Sequence, residues 1–425
     1  MKQVRYHLDR EVPILHEADV VVAGGGPGGL GAAVMAAREG ARTLLIERYG
    51  FLGGMAAAGE VSPFMDNHVR GESLDQPVYQ EWVERMKRYW PREGRERAIS
   101  KDCAMLAAED LCMEAGVRLL YHHSVADVLR EGRRIETLIL LSKSGYTAAK
   151  GVQYVDCTGD ADLAALAGCQ FEMGGPTGPC QAMSVCFKLC NVDRAQFPDY
   201  EPLARIYQAA QARGEIDCPR DFVLFFSWLR DDVVHFNTTR IIHKNATDGA
   251  ELSEAEIEGR RQVRQFLEFF RRHVPGCARA QLHSLAHQIG VRESRRVRGL
   301  DYLTREAFTQ ARKCPDAIAR VHYMIDIHNP DGSGTEIVRL PPDEWYEIPY
   351  GCVVARDADN LTIGGRPISV DHAIHASMRI MPVCCSVGSA AGLAAALAAA
   401  RGCRPADLGG TEVRRRLIER GANLA

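Results

Sequence analysis

Apolar β-branched residues run unbroken over Val20–Val22 and give way at once to glycines at positions 24, 26 and 29. A continuous apolar run of this kind reads as a strand buried on both faces. The small-residue stretch from Pro27 that follows is of helical length, and Gly40 ends it. Thr43, Leu44, Leu45 and Ile46 read as a second strand, closed by Glu47. Further on, Val125–Ala149 falls into three short strand-like runs with turns at Glu131-Gly132 and at Lys143–Gly145, a β-meander. Gln153–Asp156 reads as a buried strand ending in the small-residue turn Cys157, Thr158, Gly159.

The second half of the chain carries the same kinds of signal. Phe222–Phe226 and Val233–Ile242 read as strands, and Ser253 with Glu256 forms a capping box opening a long helix that runs towards His273. Pro275 and Gly276 stop it. Leu361–Ile363 is a short apolar strand ending at Gly364 and Gly365. Pro382 sits near the first turn of an alanine-rich helix that continues to Arg401, with Gly402 as its stop. Two stretches mimic membrane spans in a hydropathy scan. Val20–Ala37 is uncharged, but six glycines and Pro27 break it, and Ser386–Ala400 is too short at 15 residues to cross a bilayer. Neither is expected to span a membrane.

The spacing Gly24, Gly26, Gly29, after a strand and opening a helix, predicts a dinucleotide cradle. Glycines let backbone N–H groups approach a pyrophosphate, and the helix N-terminus adds positive partial charge. Glu47 lies 23 positions after Gly24, where an acid accepts hydrogen bonds from ribose hydroxyls. A lone glycine-rich turn carries no such meaning; here strand, glycines, helix, second strand and acid come in order. A second glycine-rich loop, Gly53, Gly54 and Met55 after Arg48, reads as backbone lying against a large flat ligand or as a flexible connection. The meander also stands where a plain NAD-binding domain would place another helix.

The segments Gly24–Gly29, Phe51–Met55, Cys157–Asp160, Val291–Arg296, Asn360–Ser369, His375–Arg379 and Met381-Pro382 together resemble the FAD-dependent oxidoreductases of the glutathione-reductase-like superfamily. The resemblance is to the branch related to succinate dehydrogenase and fumarate reductase flavoproteins. Cys157 departs from the alanine usual in that family's Ala-Thr-Gly triplet. The resemblance implies an α/β fold: an FAD/NAD(P)-binding Rossmann-like parallel sheet with a β-meander, plus an inserted α+β substrate domain. Residues 1–169 and 350–425 would form the FAD domain and residues 170–349 the substrate or cap domain. FAD would be held by Gly24, Gly26, Pro27, Gly28, Gly29, Glu47, Arg48, Gly53, Gly54, Met55, Val125, Thr158, Gly159, Asp160, Gly365, Arg366, Ser389 and Ala390. The C-terminal helix would point its positive end at the flavin ring. The implied reaction is oxidation of a small polar organic substrate, with hydride passing to flavin N5.

Candidates for chemistry are His375, with His372 as second choice, and Arg292. A histidine of near-neutral pKa could remove a proton as hydride leaves, although the pair could equally be polar surface residues. His372 and His375 are also spaced for a metal, but no further ligand is spaced to join them, and no metal is expected. Arg292 and Glu293 read either as a clamp for a substrate carboxylate or as a structural ion pair. Asn237 and Thr239 alternate along a strand and either line the pocket or face solvent.

Composition narrows the partners. The chain has 425 residues, 46% hydrophobic and 25% charged, with a formal net charge of -3. That balance offers nucleic acid no global attraction. The arginines at 260, 261, 264, 271, 272, 295, 296 and 298 lie close in sequence, but acids interrupt them. They read as a solvated face, leaving an RNA-modifying flavoprotein as a rival reading. Fourteen cysteines include no CxxC pair, and the start of the chain lacks the h-region of an export signal. Reduced thiols in the cytoplasm are therefore expected. The absence of a second GxGxxG argues against a dedicated NAD(P) domain, leaving oxygen, a quinone or a protein as electron acceptor. The flavoprotein subunit of a larger redox complex is an alternative, and a homo-oligomer is compatible with the sequence.

Overall fold

The computed structural model describes residues 9, 11–90, 98–176 and 178–425. Most of the segment before the first strand, from which the lack of an export signal is read, lies outside the described residues. Seven strands form the main sheet. Arg118–Leu120, Thr43–Ile46, Ile14–Ala23, Gly145–Asp156, Arg134–Ser142 and Ser124–Glu131 lie side by side in that order, and Leu361–Ile363 pairs with the far end of Gly145–Asp156. The strand after the first helix is parallel to the first, with Val20 opposite Thr43. Gly145–Asp156 is parallel to it on the other side, with Val20 opposite Gln153. Val20, Val21 and Val22 are fully buried, as expected of a strand covered on both faces. The meander is present, and its third run and the buried strand ending at Cys157 prove to be one strand of 12 residues. Half of it pairs in the meander and half in the parallel sheet. The fold is α/β, with a parallel-rich Rossmann-like sheet and the meander at its edge.

The helix Pro27–Arg38 and the C-terminal helix Met381–Arg401 cross at backbone contact. A Cβ on Gly388 would stand 1.9 Å from the Gly28 carbonyl oxygen, and one on Gly392 would stand 2.1 Å from that of Ala32. The second helix starts at Met381, earlier than the 15-residue stretch read from sequence. Its 21 residues are long and apolar enough to cross a membrane, yet 83% of its most apolar window is buried in the fold. It is a core helix, apolar all round because it is enclosed all round.

A second hydrophobic core collects apolar residues from Met183 to Val291. It lies between the antiparallel strands Phe225–Ser227, Val234–Phe236, Phe187–Cys190 and Gln281–Leu285, in that order, and the helices Tyr200–Ala212 and Gly249–His273. The expected unit 170–349 is therefore not one core. From Val297 onward the apolar side chains join the first core, because the strand pair Ala317–Val321 and Tyr346–Pro349 packs against the C-terminal helix. The long helix also begins earlier than the capping box predicted. Asp248 caps it, accepting from the amides of Ala250 and Glu251 at 2.9 and 3.0 Å, while Ser253 Oγ donates to the Gly249 carbonyl inside the helix. Ser, Thr and Asp all serve as caps, and the first competent one upstream won.

Candidate active site

One cleft runs between the two cores, and the glycine cradle forms one end of it. The three spaced glycines have three separate tasks. Gly24 takes φ +98°, and a Cβ there would strike the Cys157 carbonyl at 2.3 Å. Gly29 lets the helix close on the strand, since its Cβ would lie 1.8 Å from the Gly24 carbonyl oxygen. Gly26 faces the cleft, where a Cβ would find only the Gly54 Cα at 3.6 Å. This is the arrangement a pyrophosphate needs: open space over bare backbone at the positive end of a helix. Gly54 in turn lies on Gly26, so the second glycine-rich loop stacks on the first.

Glu47 follows the second strand and lines the same cleft. Its carboxylate accepts from the amides of Gly25 at 2.6 Å and Tyr49 at 2.9 Å. Burial pushes its pKa up against those hydrogen bonds. Arg48 donates to Gln288 Oε1 at 2.9 Å, tying the first core's loop to the second core. Beneath the turn at 157–159, the buried carboxylate of Asp156 accepts from the amide and hydroxyl of Thr158 at 3.0 and 2.8 Å, and from the amide of Ala164. Burial raises its pKa to about 6. Asp156 shapes the turn without reaching the cleft, a role the sequence reading did not give it.

Of the residues expected to hold cofactor, Gly24, Gly26, Pro27, Gly28, Glu47 and Arg48 line the cleft from the first half of the nucleotide unit. Gly54, Met55, Val125, Thr158, Gly159, Gly365 and Arg366 line it as well. The others stand behind it. Gly29 and Gly53 shape backbone, Gly53 at φ +107° with its amide donating to the Gly25 carbonyl at 2.9 Å. Asp160 holds Arg366 at 2.5 Å and accepts from Ser294 Oγ at 2.6 Å. Ser389 and Ala390 sit inside the helix crossing, Ser389 close to Gly31. Both pack against neighbouring elements, because they lie in the middle of a helix whose first turn alone reaches the cleft. Ile380, Met381 and Cys384 line it, so two helix N-termini open on one cavity.

At the far end stand Arg292, Asn237, Ser184, Cys186 and Arg379. Arg292 donates to the Ala182 carbonyl at 2.7 Å, to Ser184 Oγ at 2.8 Å and to Asn237 Oδ1 at 3.3 Å. Burial, then the neighbouring Arg379 and Arg220, push its pKa down to about 9. Its sequence neighbour Glu293 points elsewhere. It accepts from the Gln181 amide at 3.0 Å, pairs with buried Arg296 and meets His372 Nδ1 at 2.8 Å. The two residues therefore divide the readings between them: arginine at the cleft, glutamate in a structural pair. Thr239, expected beside Asn237, is buried with its hydroxyl bonded to the backbone of Val185. Arg379 and Ser184 were missed. Arg379 left a readable signal, since it directly precedes the helix whose first turn reaches the cleft; Ser184 sits in an irregular bridge with no pattern.

The structure brings neither candidate histidine into the cleft lining. His375 is wholly buried, with neither ring nitrogen hydrogen-bonded among the described residues, and burial pushes its pKa well below the ordinary value, helped by Arg296 and Arg379. His372 opens on a second, shallower cavity with Gly174, Gly175 and Tyr302. Three residues apart on a seven-residue helix, they share a side of it, and neither lines the cleft. Among the described residues no group of three or more His, Cys, Asp or Glu side chains is placed to hold a metal ion.

No curated protein matches the chain in sequence. Among solved structures it is similar to a geranylgeranyl bacteriochlorophyll reductase-like protein from Thermoplasma acidophilum, at 15% identity over 96% of this chain and 85% of that one, with a TM-score of 0.49. It is similar to the p-nitrophenol 4-monooxygenase PnpA from Pseudomonas putida DLL-E4, at 12% identity over 95% and 84% of the two chains, with a TM-score of 0.44. The myxobacterial chondrochloren halogenase CndH matches at 15% identity over 95% and 79%, with a TM-score of 0.45. In sequence, residues 19–417 match the FAD dependent oxidoreductase family, to which the chain belongs: it is an FAD-dependent oxidoreductase.

Proposed function

We propose that this oxidoreductase is a dehydrogenase or oxidase that takes hydride from a small polar organic substrate. The observation that carries the reading is that one cleft holds the glycine backbone of Gly24–Gly28 at one end and Arg292, Asn237 and Arg379 at the other. Bound FAD supplies the two-electron acceptor. The chain's own residues bind, orient and balance charge. Gly26 and the helix opening at Pro27 would receive the pyrophosphate, and Glu47 the adenosine ribose. The helix end at Ile380 and Met381 favours negative charge beside it. Arg292 would orient a polar substrate at the far end through a guanidinium already fixed by three hydrogen bonds.

The first core would serve the cofactor and the second the substrate. No dedicated NAD(P) fingerprint is present, so electrons would leave to oxygen, a quinone or a protein. The arginine run supports the rival RNA reading poorly: all of its members except Arg264 have an acidic partner, among them Arg260 with Glu256 and Arg295 with Asp162. The test is an anaerobic screen of organic donors against the purified holoenzyme, following loss of flavin absorbance. Small polar donors should bleach the flavin at a catalytic rate, and NADH in stopped flow should be a slow reductant. Fast bleaching by NADH, with none by any organic donor, would overturn the reading.

The base is a separate question. With His375 outside the cleft lining, His375→Gln should slow flavin reduction by substrate less than the loss of about 10²–10⁴-fold expected for a positioned base, and should leave the pH profile unchanged. A loss of that size, together with a vanished limb near neutrality, would restore the histidine.

A further inference from the structure

The substrate end of the cleft carries a surplus of positive charge, half-buried at its wall and buried behind it. Arg292 is half-buried in the cleft wall, and all three of its hydrogen bonds go to neutral oxygens. Arg379 lines the same cleft. Its Nη2 donates to the Asp326 carbonyl at 3.1 Å and lies 3.4 Å from Gln181 Oε1, and its buried Nε has no hydrogen-bond partner among the described residues. Two more guanidiniums stand behind them. Arg220 is 4% exposed and donates to the Asn237 carbonyl, and Arg240 is 2% exposed and bonds to the carbonyls of Gly332 and Gly334 and to His328.

Against these four, the one acid among the described residues that pairs with a member of the group is the half-buried Asp326, which lies 3.7 Å from Arg379 and 3.5 Å from His328 Nε2. Asp221, the other acid near this group, is exposed. Burying charge without a counter-charge is costly, and proteins accept it where a ligand brings the missing charge. Water alone would satisfy hydrogen bonds but not the charge.

We propose that the donor substrate is a small carboxylic acid whose carboxylate is held between Arg292 and Arg379. The inference rests on the reading of the cleft given above and narrows its substrate to organic acids. A planar guanidinium matches a carboxylate bidentately. Asn237 and Ser184 already hold the Arg292 fork, so little ordering is needed on binding. The apolar side of this end, Val61, Met65 and Val291, suits a short carbon chain beyond the charged group.

The test titrates the FAD-loaded protein with sodium malonate, malonamide and inorganic phosphate, reading the flavin difference spectrum. Malonate should perturb the flavin saturably, and malonamide of the same shape should not. Arg292→Met and Arg379→Met should each weaken malonate by about 10- to 100-fold, the size of a lost charge-assisted contact. Arg292→Lys keeps the charge without the fork and should fall between, which keeps the test open if Arg292→Met fails to fold. Equal binding of malonate and malonamide, affinities in the variants equal to wild type, or binding of phosphate but not malonate would overturn the carboxylate assignment. Protein that carries FAD and is bleached by a neutral donor, but is blind to malonate, would sink this inference alone. Protein that no organic donor bleaches would sink the reading beneath it.

Discussion

Gly26→Val should fold normally and purify colourless. A Cβ at this position meets nothing closer than the Gly54 Cα at 3.6 Å, so the protein itself has room for the start of a side chain. The branch then projects into the cleft over the helix N-terminus, where the proposed site of the FAD pyrophosphate is bare backbone. A clash of about 3 kcal/mol weakens binding by roughly two decades, enough to lose the flavin during purification. Gly29→Ala, three residues on, should fail differently. Its methyl would stand 1.8 Å from the Gly24 carbonyl oxygen, and both partners are backbone held by strand and helix. That variant should misfold or melt far below wild type, because a clash between fixed backbone segments has no cheap relaxation. Absorbance at purification and circular dichroism separate the outcomes. A yellow Gly26→Val protein would place the pyrophosphate elsewhere. Flavin released from the wild type should be FAD and not FMN, since the role proposed for Glu47 is to receive a ribose that FMN lacks.

Glu293→Ala should lower stability by about 3–5 kcal/mol, the cost of stranding one member of a buried ion pair. Glu293 is fully buried, and Arg296, only 3% exposed, depends on it for charge. The remaining partners of Arg296 are the carbonyls of Val370 and Gly174 and a distant Glu172 carboxylate at 3.9 Å. In a chain of this size the melting temperature should fall by about 3–6 °C. Glu293→Gln keeps the shape and an acceptor for the Gln181 amide, so it should cost less. Because Glu293 does not line the cleft, FAD content should hold in both variants. A Glu293→Ala protein that melts with the wild type would show that the pair contributes nothing.

Local chemistry was legible from local pattern. The run Val20–Val22, the glycine spacing, Glu47 and the small-residue turn at Cys157 each occupy a few consecutive residues whose backbone needs leave a direct mark on residue type. The nucleotide unit was readable for that reason, even though it closes with a strand more than 300 positions further along the chain. Direction was not legible. His372 and His375 have the right spacing and the right neighbours, but the rotation of a seven-residue helix decides whether they meet a cleft or a core, and spacing carries no information about that rotation. Ser389 and Ala390 carry the same ambiguity: small residues suit a ligand and a helix crossing equally, and the structure places Ser389 against Gly31.

By itself the sequence determined the cradle, the two core helices, the meander and the family, because each depends on spacings that the backbone reads locally. Tertiary structure alone decided that Arg292 faces the cleft while Glu293 turns to Arg296, two neighbours one residue apart in irregular chain. It also decided that Arg220, Arg240, Arg292 and Arg379, far apart in sequence, come within electrostatic reach of Asp326, which pairs directly with Arg379. Charges distant in sequence interact through space, and their balance exists only once the chain has brought them together.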